Sequence, residues 1–240
     1  INFIKYFMHP FGKKSFNLFK ETYLKKFNNP KIVEVGSLNV NGTIKTEIDF
    51  KSEYIGLDLV KGENVDIVLE NPYNFPIESN SADIVVSIST FEHIDFFWET
   101  FAEIQRILKP HGLFFLNVPA NGPFHRHDSD NWRFYPDAAT TLTKWGKKKG
   151  FNTELLESFT HNYSGDEATN DFIAIFLKDE KFKKNYDKRI IDDYKKFTNG
   201  ITNKDKKIIN FRRLTQDQNS WFFKLSYLLN KKIHKFKRLI

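Results

Sequence analysis

An α/β fold built on a mostly parallel sheet is predicted for this 240-residue chain by three observations. Short apolar runs alternate with amphipathic stretches between Lys31 and about Lys178, and that alternation is the signature of strands covered by helices. The first two runs, Lys31–Val35 and Tyr54–Asp58, place carboxylates near their ends, Glu34 and Asp58, and a glycine turn at Gly36 follows the first at once. In open parallel sheets ligands bind just beyond such strand ends, where strand order reverses. The last two runs lie on either side of a polar loop, as an antiparallel hairpin would.

Residues 1–30 alternate aromatics with lysine at loosely helical spacing (Phe3, Tyr6, Phe7, then Phe16, Phe19, Tyr23). They read as a helical cap of two short helices, separated by His9-Pro10-Phe11-Gly12. Residues 31–178 form the sheet domain. After the first strand a short helix is expected over Thr43–Asp49, then strands at Tyr54–Asp58 and Val65–Leu69. The turn-rich Asn71–Ile77 follows. Ser81–Ile88 is β-branched and nearly continuous, the composition of a buried parallel strand. Phe97, Phe101, Ile104, Ile107 and Leu108 mark one face of a helix over Phe96–Leu108, stopped by Pro110 and Gly112. Leu113–Val118 is the fifth strand, and a long polar loop then runs from Pro119 to Tyr135. A helix is expected over Pro136–Lys149, and Phe151–Phe159 and Asp171–Leu177 complete a seven-stranded sheet.

Composition narrows the function. The chain has no cysteine, which excludes disulfides and thiolate metal sites. Residues 178–240 carry 19 Lys and Arg against 7 Asp and Glu, a net of +12, whereas residues 1–177 carry 18 against 23, a net of −5. The sheet domain is thus mildly acidic and the tail strongly basic. No apolar run is long enough to span a bilayer and no signal-peptide pattern opens the chain, so a cytoplasmic protein is expected, with the inner face of the membrane as a docking place.

Four motifs in order resemble the class I S-adenosylmethionine-dependent methyltransferases. They are Glu34-Val35-Gly36 with Asp58 about twenty residues on; Asn71–Pro76 followed by Ser81–Ser87; Phe91-Glu92-His93-Ile94; and Ile104–Leu113, with its Arg-Ile-Leu-Lys-Pro-His-Gly run. Leu38 and Val40 stand where that family usually has its next glycines. The resemblance implies a Rossmann-like methyltransferase fold with a terminal antiparallel hairpin, and S-adenosyl-L-methionine as cofactor. By the same resemblance Glu34 takes the methionine ammonium, and Gly36, Ser37, Leu38 and Asn39 approach the ligand with their backbone. Asp58, followed by Leu59, takes the ribose hydroxyls, Glu70 and Asn71 meet the adenine amino group, and Ser87 begins the segment beneath the sulfonium. Capping or solvated acids are the bland reading of Asp58 and Glu70.

The loop His125–Asp137 gathers two imidazoles, two guanidiniums and an indole over the carboxyl edge. Arg126 and Arg133, with Trp132 and Tyr135, suit a phosphate- or carboxylate-bearing acceptor. His125, His127, His161 and His93 are the candidates, in that order, for the base that removes an acceptor proton. A surface loop pinned by aromatic residues is the alternative. Trp132–Asp137 resembles a subset of these enzymes that decorate bacterial surface polysaccharides, which implies O-methylation of a small anionic, phosphorylated or nucleotide-linked precursor. A catalytically weak scaffold on the same fold is the competing reading. No His-x-x-x-His or carboxylate triad with ligand spacing occurs, so no metal is expected.

In the tail, 179–240, Phe182, Tyr186, Ile190, Tyr194 and Phe197 mark one helix, and Trp221, Leu225, Leu228, Leu229, Phe236 and Leu239 another. Lysine along the second suits an anionic membrane surface, the catalytic domain or another subunit. Nucleic acid is not expected, because arginine is sparse and no recognised module is present.

Overall fold

The structure, a computed structural model, describes residues 10–40, 42–126, 128–162, 170–215, 218 and 225–230. Its elements in chain order are α1 (Pro10–Tyr23), β1 (Lys31–Val35), β2 (Glu53–Asp58), β3 (Ile67–Val68), β4 (Ala82–Ile88), α2 (Phe97–Ile107), β5 (Leu108–Pro119), α3 (Asp137–Lys148), β6 (Glu154–His161), β7 (Asp171–Leu177), α4 (Ile190–Asp193) and β8 (Phe197–Thr202). Short 3-10 turns lie at Leu24–Lys26, Ile44–Glu47 and Glu180–Asn185.

The sheet runs β3-β2-β1-β4-β5-β7-β6-β8. The first five strands pair in parallel, and β7, β6 and β8 join antiparallel. This is the expected Rossmann-like methyltransferase fold, with one strand more than the seven anticipated. Strand order reverses between β1 and β4, so the crevice at their carboxyl ends is where a ligand belongs.

Both faces of the central strands are covered, which is why β4 reads as continuous apolar sequence: all seven of its residues are buried. On one face Val33, Val85 and Phe114 pack under α2 and α3 through Phe101, Ile104 and Leu142. On the other, Ile32, Ile84, Phe115 and Ile175 pack under α1 through Phe16 and Phe19. Phe19 lies 4.8 Å, centroid to centroid, from Phe115. Burying each such ring contributes about 1.5–3 kcal/mol.

Several expected boundaries moved. The first of the two N-terminal helices, and most of the last tail helix, lie outside the described residues. The helix expected over Thr43–Asp49 is a four-residue 3-10 turn. Helix α2 stops at Ile107, not at Pro110, because the chain passes straight into β5. Residues 109–112 are taken up by a register shift: Ala82 faces Leu108 and Ile84 faces Leu113. The tail helix expected over Phe182–Phe197 is replaced by a 3-10 turn, the single turn α4 and the edge strand β8. These residues complete the sheet instead of extending from it.

Candidate active site

The β1 turn closes on the switch point through a glycine that only glycine can supply. Gly36 has φ +81°, and a Cβ there would sit 2.0 Å from Thr90 Oγ1, beyond the end of β4. The Gly36 and Ser37 amides donate to the Leu57 carbonyl at 2.9 and 3.0 Å, and Asn39 Oδ1 accepts from the Gly42 amide at 2.8 Å. Leu38 turns toward Gly62, whose absent Cβ leaves room for it, and Val40 points to solvent. The positions lacking the usual glycines are therefore filled without closing the turn on itself.

Asp58 ends β2 half-buried, and its carboxylate already orders both loops of the crevice. Oδ2 accepts from the Leu38 amide at 3.0 Å and Oδ1 from the Val60 amide at 3.1 Å. Each oxygen keeps a second lone pair for a ligand hydroxyl. Leu59 beside it is half exposed, an apolar surface at the crevice. Glu70 and Asn71 are exposed after β3, and Asn71 Oδ1 caps its own turn by accepting from the Tyr73 amide at 2.8 Å.

Glu34 is buried and shares a hydrogen bond with the Tyr54 hydroxyl, while Asn64 Nδ2 lies 3.5 Å from its Oε2 and 2.7 Å from the same hydroxyl. Burial pushes its carboxyl up to about 7, against the pull of these donors. Ser87 is fully buried, and its hydroxyl donates to the Val35 carbonyl at 3.0 Å. Its side chain thus fastens β4 to β1.

The loop after β5 is stitched to the turn after β4. The Asn131 and Trp132 amides donate to the Glu92 carbonyl at 2.8 and 3.1 Å, Ser129 Oγ to the His93 carbonyl at 2.8 Å, and Trp132 Nε1 to the Ile94 carbonyl at 3.0 Å. The Trp132 ring packs edge-on against Phe97 and Trp98. Arg133 differs from the expectation of a guanidinium open to an acceptor. It pairs with both oxygens of Asp130, at 2.6 and 2.8 Å, and holds that carboxyl down to about 2. Arg126 donates to the Asp128 carbonyl within its own loop, at 2.7 and 3.2 Å. His127 lies outside the described residues.

Behind this loop, His93 and His125 meet edge to face with ring centroids 5.2 Å apart. Beside them is Glu92, 1% exposed, with no hydrogen-bond partner for either carboxylate oxygen among the described residues. Burial, with Asp171 and Asp130 nearby, pushes its carboxyl up to about 8 despite Arg133. His161 is not in a loop over the site. It is the last residue of β6, fully buried and bonded to the Tyr194 hydroxyl, and burial with Lys14 and Lys196 lowers its imidazole to about 4. It stays neutral and enclosed at neutral pH.

A cavity of about 170 Å³ opens at the carboxyl edge between the start of the post-β5 loop and β6–β8. It is lined by Asn121, Asn162, Asn170 and Asn199, by Thr160 and Thr198, and by Tyr135 and Arg212. The Arg212 guanidinium has no hydrogen bond or ion pair among the described residues, and its backbone amide donates to Asn199 Oδ1 at 2.7 Å. Sequence reasoning placed Tyr135 at the acceptor side but missed the asparagines and Arg212. They come from four separate segments, and no local spacing joins them.

Comparison with known proteins agrees with this geometry. Residues 36–116 match the family model described as a methyltransferase domain. No curated protein sequence matches the chain. Phosphoethanolamine N-methyltransferase 2 of Haemonchus contortus, solved with phosphomonomethylethanolamine and S-adenosylhomocysteine, is similar with a TM-score of 0.50 at 15% identity. That likeness covers 70% of this chain and 53% of the worm enzyme, so the chain spans about half of that enzyme's length. The 4+2 cyclase SpnF gives a TM-score of 0.51 at 12% identity, over 70% of this chain and 81% of its own. The fold is thus that of the Rossmann-like methyltransferases, and the segment from Gly36 to Leu116, about a third of the chain, matches a methyltransferase domain.

Proposed function

We propose that the chain transfers a methyl group from S-adenosylmethionine to an oxygen of a small, hydroxylated, anionic acceptor, such as a phosphorylated or nucleotide-linked precursor of a bacterial surface polysaccharide. The polar cavity carries this reading. Its asparagine and threonine lining offers paired donors and acceptors suited to hydroxyl groups, and Arg212 adds one cation for phosphate or carboxylate. In this reading Glu34, the Gly36–Asn39 turn, Asp58 and Leu59 hold the cofactor, with Glu70 and Asn71 at the adenine end. In the metal-free chain His125 remains the preferred base, because it is exposed on the loop over the carboxyl edge. Arg126 and Arg133 stay as loop-ordering residues. Catalysis then rests on positioning the acceptor in line with the methyl group and on removing its proton.

The test is incubation with labelled S-adenosylmethionine and pools of nucleotide-sugars and phosphorylated metabolites, followed by identification of the labelled product. Arg212→Ala is expected to raise the acceptor KM at least tenfold while leaving cofactor affinity unchanged. Label on a neutral or cationic product would count against the anionic acceptor.

A scaffold without turnover is the second reading. It is motivated by Leu38 and Val40 standing where such enzymes usually carry glycine, and the similar fold of SpnF, a 4+2 cyclase, shows that the fold alone does not fix the reaction. The basic tail is assigned here to a protein or membrane surface of negative charge, and among the described residues no helix is long and apolar enough to cross a membrane.

A further inference from the structure

We propose that Glu92, His93 and His125 form a binding site for one divalent transition-metal ion of the zinc type, bridging the turn after β4 and the loop after β5. The candidate ligand atoms of these three residues lie within 4.8 Å of one another, and Glu92 Oε1 is 3.7 Å from His93 Nε2. Two imidazoles and one carboxylate are a borderline-soft donor set. It suits zinc, cobalt or iron(II) better than magnesium or calcium, which prefer oxygen alone.

Two features of the surroundings point to a cation. Glu92 is a buried carboxylate whose two oxygens receive no donor among the described residues, a costly arrangement unless a proton or metal ion sits there. His93 Nδ1 contacts the Ser129 carbonyl, which can only accept, so Nδ1 carries a hydrogen and Nε2 is the ring nitrogen that faces Glu92. A ring nitrogen donating to a backbone carbonyl is the usual support of a histidine that ligates through its other nitrogen.

Ligand atoms around a tetrahedral zinc ion stand roughly 3.4 Å apart, given zinc–ligand bonds of about 2.0–2.2 Å. The set is therefore somewhat open, and His125, exposed on its loop, is the member that moves in. Three protein ligands leave one position for water or an acceptor oxygen, as catalytic zinc sites do. The site follows from side chains on two separate segments, which is why a search for ligand spacing within one segment does not find it.

The probes are Zn²⁺, followed by calorimetry on the metal-stripped full chain, and Co²⁺, followed by its visible d–d absorption. Binding of one ion per chain is expected, with affinity falling at least tenfold in His125→Ala and in Glu92→Gln. Because His125 is exposed, its variant is expected to fold even if the Glu92 variant does not. His111→Ala, an exposed-edge control bonded to Asp83, should bind as the wild type does. Absence of binding by the wild type, or equal binding by wild type and His125→Ala, would overturn the proposal. Neither readout depends on methyl transfer, so failure of the functional reading leaves this test intact.

Discussion

Glu34 and Asp58 end neighbouring parallel strands, yet their surroundings give them different duties. Asp58 is half-buried and satisfied by two backbone amides, which fixes both loops before any ligand arrives. Its replacement by Ala should weaken S-adenosylmethionine binding by more than tenfold, on the scale of two lost charge-assisted hydrogen bonds. Glu34 is enclosed and has its carboxyl raised to about 7, so about half of it is protonated near pH 7. An ammonium group beside it favours the ionised form. Cofactor binding at pH 7 should therefore release up to about half a proton per chain. Calorimetry in buffers of different ionisation enthalpy measures this, and Glu34→Gln should abolish it. These two acids were legible because a carboxylate at a strand end before a turn is a local pattern. The bond of the Ser87 hydroxyl to the Val35 carbonyl was not legible, since it runs between strands 52 residues apart in sequence. Arg133 was misjudged for a related reason: its partner Asp130 is three residues away, but only the folded loop turns the two toward each other.

At the scale of elements, β8 is held to the domain by a buried polar network that periodicity could not reveal. Glu157 on β6 accepts from the Ile190 and Ile191 amides at 2.7 and 3.2 Å, satisfying the open end of α4, and from the Tyr23 hydroxyl of α1. Arg189, 1% exposed, donates to the Leu156 carbonyl at 2.9 Å and to Asn203 Oδ1 at 2.6 Å. Arg189→Ala strips these carbonyls of a donor and Glu157 of a nearby cation, and should cost about 3–5 kcal/mol in a urea unfolding titration. Arg126→Ala, exposed and, among the described residues, bonded only within its own loop, should change stability by less than about 0.5 kcal/mol. The spacing of Phe182, Tyr186, Ile190, Tyr194 and Phe197 suits a helix, and Tyr186, Ile190 and Phe197 are indeed buried. Packing against β6 overrode that local preference, and an extended edge strand resulted. The parallel strands, by contrast, were readable because burial on both faces leaves a continuous apolar run.

At the scale of the whole molecule, the buried acids set the pH dependence of stability. Glu157 is raised from its ordinary value to about 7 by burial, as Glu34 is, so the folded state holds these protons more tightly than the unfolded chain. Stability should then fall as pH rises from about 4.5 through about 7, by on the order of 3 kcal/mol for Glu157. Scanning calorimetry of the ligand-free chain at pH 5.5 and 7.5 reads this as a lower Tm at the higher pH, and Glu157→Gln should reduce the difference. The measurement that bears most directly on the central claim is titration of the wild-type chain with S-adenosylmethionine and S-adenosylhomocysteine by calorimetry. The account predicts saturable binding of both, strongly reduced in Asp58→Ala. A correctly folded wild-type chain that binds neither would contradict it.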